Sequence, residues 1–136
     1  GHGWTYSAHP IGAAAGVANL KLIDELNLMQ NAGETGAYLN KAMKDALGDH
    51  ANVGDIRGEG MLCAVEFVKE RDGRVYFDAA EKVGPQVAGA LLAEGVIGRA
   101  MPQGDILGFA PPFCLTREEA ERIVSVTADA VKATLG

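Results

Sequence analysis

Val53-Gly54-Asp55-Ile56-Arg57-Gly58-Glu59-Gly60 runs directly into Met61-Leu62-Cys63-Ala64-Val65-Glu66-Phe67-Val68. β-Branched, aliphatic and aromatic residues occupy the two ends, and Gly58 and Gly60 sit between them. Strand formers on either side of a glycine cluster predict two strands joined by a turn. Lys69 to Gly73 follow as a charged turn. The segments immediately upstream carry apolar residues at helical spacing.

Upstream, Pro10 suits the first position of a helix because that position needs no N–H. Ile11-Gly12-Ala13-Ala14-Ala15-Gly16-Val17-Ala18 follows, a small-residue stretch that predicts close packing on another backbone. Leu20, Ile23, Leu26 and Leu28 extend an apolar stripe, with a break expected near residues 27–30. A second helix is predicted to about Leu47, from Tyr38, Leu39, Ala42, Met43 and Leu47, with Gly48 as its stop.

Downstream, Asp78-Ala79-Ala80-Glu81 has capping-box spacing for a helix that ends before Gly95, with a kink or restart at Gly84-Pro85. Val96–Ala100 and Ile106–Ala110 read as strands, separated by a turn over Met101–Asp105 and closed by Pro111-Pro112. Thr116-Arg117-Glu118-Glu119 is a second capping box. It opens a helix with Ala120, Ile123, Val124, Thr127, Val131 and Leu135 on one side. The order helix, helix, two strands, helix, two strands, helix predicts an α+β domain. Its sheet is small and mainly antiparallel, with helices on one face.

The chain has 136 residues, enough for one core. Its formal net charge of -6 argues against nucleic acid, which selects basic surfaces. No apolar run is long enough to span a membrane. Cys63 and Cys114 lack C-x-x-C spacing and read as buried free thiols, as expected in the cytoplasm. His2, His9 and His50 are scattered, so no metal site is expected.

The opening, Gly1-His2-Gly3-Trp4-Thr5-Tyr6-Ser7-Ala8-His9-Pro10, has no initiator Met and reads as internal to a longer polypeptide. Hydroxyls and glycines just before a helix suit an anion, because the first turn presents free N–H groups and a partial positive charge. An ordinary surface loop that caps the helix is the alternative. Arg57 and Glu59 beside their glycines read as a surface ion pair or turn support, or as a second anion contact.

Three segments together carry a resemblance: residues 2–10, Ile56-Arg57-Gly58-Glu59-Gly60-Met61, and Ala110-Pro111-Pro112-Phe113 with Thr116. They resemble the C-terminal third of a class III pyridoxal-phosphate aminotransferase, nearest to the omega-amino-acid or amine:pyruvate transaminases. The resemblance implies the C-terminal small domain of a fold-type I pyridoxal-phosphate enzyme. Residues 1–10 would be a cofactor-phosphate loop, 11–47 linking helices and 53–136 an α+β subdomain, with the large cofactor domain absent. It also implies a homodimer joined through the opening loop and first helix, with pyridoxal 5'-phosphate as cofactor and its phosphate bound by this loop across the dimer interface. The family's cofactor-bearing lysine, its ring-nitrogen aspartate and its stacking aromatic would all precede this segment. Lys21, Lys41, Lys44, Lys69, Lys82 and Lys132 match no such motif, so the chain alone is expected to be inactive.

The resemblance assigns cofactor-phosphate binding to the Thr5 hydroxyl, assisted by the backbone of Trp4, with Tyr6, Ser7 and His9 supporting the loop. It assigns the substrate carboxylate to Arg99, a mobile arginine in the amine:pyruvate subgroup. Ornithine-type relatives instead place an Arg three residues before the Pro-Pro pair, where this chain has Gly108. The implied reaction moves an amino group from an amine or omega-amino acid to a keto acid such as pyruvate. The alternatives are a non-catalytic α+β interaction module, or the same domain of a pyridoxal-phosphate aminomutase or decarboxylase.

Overall fold

The hairpin expected at 53–68 forms. Strand β1 (Val53–Arg57) pairs antiparallel with β2 (Cys63–Phe67). A computed structural model describes residue 1 and residues 3–136; His2, part of the opening motif, lies outside the described residues. Helices α1 (Pro10–Glu25) and α2 (Leu28–Leu47) precede the hairpin. Helix α3 (Val83–Ala93), β3 (Arg99–Ala100), β4 (Ile106–Phe109) and α4 (Arg117–Leu135) follow it. The strand order is β1-β2-β4-β3 and every pairing is antiparallel. The α+β expectation holds.

Alternation along the strands sorts the two faces of the sheet. Cys63, Val65 and Phe67 of β2 and Leu107 and Phe109 of β4 are buried. They meet Leu39, Met43 and Leu47 of α2, Val87 and Leu91 of α3, and Val131 of α4 in one core. Helix α2 lies on β1, α3 lies on β3 and β4, and α4 packs on both helices. Ala64, Glu66, Ile106 and Gly108 alternate with these core residues and point to the other face, which no described helix covers.

Local signals set the last helix. Thr116 Oγ1 accepts the Glu119 N–H at 3.2 Å, and Glu119 Oε2 accepts the Thr116 N–H at 2.8 Å, completing the box. The Asp78–Glu81 box behaves differently. Its return bond forms, from the Asp78 N–H to Glu81 Oε1 at 3.1 Å, but it closes a turn and no helix grows from it. Helix α3 starts only at Val83. Pro85 in its first turn would clash with the Glu81 carbonyl if the helix reached back that far. Asp105, 21 residues away, supplies the cap instead: its Oδ1 accepts the Gly84 N–H at 2.8 Å.

The strand expected at 96–100 shortens to Arg99–Ala100. Val96 still gives its N–H to Leu91 O at 2.9 Å and turns its side chain into the core. Helix α1 differs more. It buries none of its residues and packs mainly on the neighbouring α2 among the described elements. The close backbone packing expected from its small residues is therefore not made by the described residues. Ile11, Val17, Leu20 and Leu26 are exposed.

The hairpin loop is held by a residue the sequence did not single out. Asn40 Nδ2 donates to Gly36 O at 3.0 Å and to Gly60 O and Leu62 O at 3.1 Å each. The loop thereby sits directly on α2.

The two thiols diverge from the expectation that both are buried. Cys63 is buried and Cys114 is exposed. Burial pushes the Cys63 thiol up to about 11, with Lys44 offsetting part of the effect. The thiolate is the reactive form, so Cys63 should be inert at neutral pH and Cys114 should react. A disulfide reagent at pH 7.5 should therefore label one thiol per chain quickly, and Cys114→Ser should remove that signal. Fast labelling that survives Cys114→Ser would contradict this assignment.

Candidate active-site face

The open side of the sheet forms a groove of about 1050 Å³. Register places four residues in one row across it: Arg57 opposite Ala64, Ala64 opposite Gly108, and Gly108 opposite Arg99. Partners in such a row share a face. Two arginines therefore stand at the edges, with two very small residues between them. Neighbouring strands lie about 4.8 Å apart, so this bare strip is on the order of 10 Å wide.

The two arginines differ in state. Arg57 Nη1 lies 2.6 Å from Glu66 Oε2 and 2.9 Å from Asp55 Oδ2. The Tyr76 hydroxyl donates to the other Glu66 oxygen at 3.2 Å. The bond to Glu66, then that to Asp55, holds the Arg57 guanidinium above its ordinary range. The Glu66 side chain is only 11% exposed, so it needs this cation: a buried carboxylate without a partner is costly. Arg57 is thus a structural ion pair, as one of its two sequence readings held, but its partners are Glu66 and Asp55 and not Glu59. Arg99 is exposed and has no ion pair or side-chain hydrogen bond among the described residues. It is the groove cation without a partner among the described residues.

The opening loop is a tight turn over residues 5–8. The Ser7 N–H donates to Trp4 O at 2.9 Å, and the His9 N–H to Tyr6 O at 3.1 Å. The Tyr6 and His9 rings meet edge to face at 6.3 Å. Tyr6 and Ala8 adopt φ of 64° and 57°, a left-handed backbone that L residues avoid. Such strain gathers at ligand clamps and switch regions.

The helix start is less open than the sequence suggests. Pro10 has no N–H, and the Ala13 N–H goes to His9 O at 2.9 Å. The Gly12 N–H goes to His9 Nδ1 at 3.2 Å, which makes His9 the N-cap. The first turn therefore caps itself, and the expected set of free N–H groups is reduced. The Thr5 hydroxyl is exposed and unpartnered among the described residues, so it remains available to a phosphate. Trp4 is 74% exposed. The opening loop and Arg99 are brought to no common pocket by the described residues: the groove lining includes Arg99 but neither Trp4 nor Thr5.

Comparison with known proteins identifies the class. The family model for aminotransferase class-III matches residues 1–131. The chain belongs to the class III aminotransferases. It is 56% identical over 131 residues to the diaminobutyrate–2-oxoglutarate transaminase of Halomonas elongata, covering 96% of this chain and 28% of that protein. Among solved structures, a transaminase from directed evolution by ancestral reconstruction superposes with a TM-score of 0.95 at 54% identity, covering 98% of this chain and 29% of that one. An (S)-enantioselective omega-transaminase from Thermomicrobium roseum gives 0.91 at 33% identity, covering 99% and 30%. The chain thus spans less than a third of the length of these relatives. No described helix is long and apolar enough to cross a membrane.

Proposed function

We propose that this chain is part of a pyridoxal-phosphate aminotransferase that moves an amino group from an amine or omega-amino acid to a keto acid such as pyruvate. The observation that carries this reading is the contrast between the two groove arginines. Arg57 is committed to Glu66 and Asp55, and Arg99 is unpaired over a floor of Ala64 and Gly108. A guanidinium suits a carboxylate because both are planar and can form two parallel hydrogen bonds. An exposed arginine on a two-residue edge strand can also turn aside for an uncharged amine.

Pyridoxal phosphate, when bound, supplies an electron sink for bonds at the amine carbon. This chain's contribution is to hold and orient. The Thr5 hydroxyl, with the backbone of Trp4, binds the phosphate, and Arg99 binds the substrate carboxylate. The strained turn over residues 5–8 and the unpartnered Thr5 hydroxyl fit that role. The 136 residues alone are inactive, because the lysine that carries the cofactor lies elsewhere in the enzyme. The enzyme is a cytoplasmic homodimer, and the exposed apolar side chains of α1 belong to its buried surfaces.

Mixing the full-length enzyme with an amine and pyruvate, and measuring alanine, tests the reaction. No alanine with any amine would refute the acceptor. The Halomonas relative favours a second reading, with diaminobutyrate as donor and 2-oxoglutarate as acceptor. Glutamate formed in place of alanine would select it.

The phosphate role has its own test. Thr5→Ala in the full-length enzyme should weaken pyridoxal phosphate by about 1.5–3 kcal/mol, one charge-assisted hydrogen bond. Titration of the apo-enzyme measures this, and equal dissociation constants for variant and parent would remove Thr5 from the site.

A further inference from the structure

Nothing among the described residues requires a glycine at position 108. A strand-interior glycine is less stable than alanine by roughly 0.5–1 kcal/mol. Two other glycines of this chain answer to crowding: a Cβ on Gly58 would lie 2.0 Å from Leu62 O, and one on Gly98 would lie 2.8 Å from Leu107 Cδ1. A Cβ on Gly108 would meet Met101 Sδ at 3.5 Å and Arg99 O at 3.8 Å, both ordinary contacts. Its backbone is not left-handed either. A glycine kept inside a strand without such a cause marks a place where a ligand or another backbone comes close.

Its position narrows the choice. Gly108 lies on the groove floor, directly opposite Arg99 on one side and Ala64 on the other. A molecule whose carboxylate meets Arg99 can lay its remaining atoms over this strip. We propose that Gly108 is a specificity-determining residue: the Ala64–Gly108 strip seats the carbon chain of the carboxylate substrate, and the missing side chain sets how long that chain can be. The ligand class is short 2-oxo acids and the amino acids derived from them. This inference rests on the assignment of Arg99 to the substrate carboxylate.

The test uses the full-length holoenzyme with Gly108→Ala and Gly108→Val. Glyoxylate, pyruvate, 2-oxobutyrate and 2-oxopentanoate serve as acceptors, with one uncharged amine as donor. The thermal midpoint should stay level or rise, because the fold has room for the Cβ. kcat/KM should fall more steeply with acceptor length in each variant than in the parent. The Gly108→Val loss on 2-oxopentanoate should exceed its loss on glyoxylate by roughly tenfold or more, the scale of one misplaced methylene. Gly108→Ala should fall between Val and the parent, and it decides the matter if the valine protein does not fold. Calorimetric titration of the same acids should show the same length dependence without turnover.

Length profiles parallel to the parent's, whether from uniform loss or from none, would overturn the proposal. Arg99→Ala separates the two readings. It should weaken all four acids about equally, and no loss there would overturn the Arg99 assignment while the Gly108 profile is still read directly. Failure of every acid to bind the parent enzyme would overturn both.

Discussion

Arg99→Ala in the full-length enzyme should lower kcat/KM with pyruvate or alanine by roughly 30-fold to several-thousandfold. That corresponds to about 2–5 kcal/mol, the range for truncating one partner of a desolvated charge pair. The half-reaction with an uncharged amine should be nearly unchanged, because it presents no carboxylate to the groove. Arg57 cannot take over. It is held by Glu66 at 2.6 Å and Asp55 at 2.9 Å, and its release would strand a nearly buried carboxylate. Arg99→Lys should restore only part of the loss, since an ammonium lacks the planar two-bond fork. Single-turnover absorbance of the cofactor separates the two half-reactions. Equal losses in both would make Arg99 a support of the fold or the cofactor.

A large stability effect should come from Gly36→Ala in α2. A Cβ there would lie 2.2 Å from Gly60 O and 2.3 Å from Gly60 C. Both are backbone atoms of the hairpin loop, which Asn40 also binds, so they cannot swing away as a side-chain end would. Alanine gains about 1 kcal/mol of helix propensity over glycine. Overpacking against fixed backbone costs roughly 1–3 kcal/mol and occasionally more. With overlap this deep the overlap wins, and a net loss of about 2 kcal/mol is expected. Gly33 of the same helix is the control: its Cβ would meet nothing within 4 Å. Gly33→Ala should stabilise by roughly 0.5–1 kcal/mol. Urea midpoints of the two variants should therefore move in opposite directions. A Gly36→Ala midpoint at or above the parent's would show that the loop can retreat from α2.

What was legible in the sequence was what short-range chemistry decides. Thr116 and Glu119 are three residues apart and cap each other, so α4 could be placed from its own letters. The hairpin was visible because strand formers flank Gly58 and Gly60. Asp78 and Glu81 have the same spacing as the Thr116 box, yet α3 takes its cap from Asp105, which only the folded chain brings near Gly84. The choice of Arg57's partners was hidden for the same reason. Glu66 reaches it through β1–β2 register, while Glu59, two residues away, is not its partner. Arg99 was reached by resemblance, and its unpaired state became visible only with the groove around it. His9 as the cap of α1 was hidden, since the helix-start signals are Ser, Thr, Asp or Asn at that position and histidine is not among them.

Helix α1 turns the order of the opening into a conditional property. Sixteen residues sit at the length where a helix in water is marginal, and most helices owe their persistence to a buried face. This one buries no residue. Its helical content and its docking on a surface are therefore a single coupled equilibrium. Whatever covers Ile11, Val17 and Leu20 also fixes the axis from which the turn bearing Thr5 projects. With Thr5 on the cofactor phosphate as proposed, cofactor affinity and assembly would be linked functions of one another: loosening the contact would also loosen the phosphate.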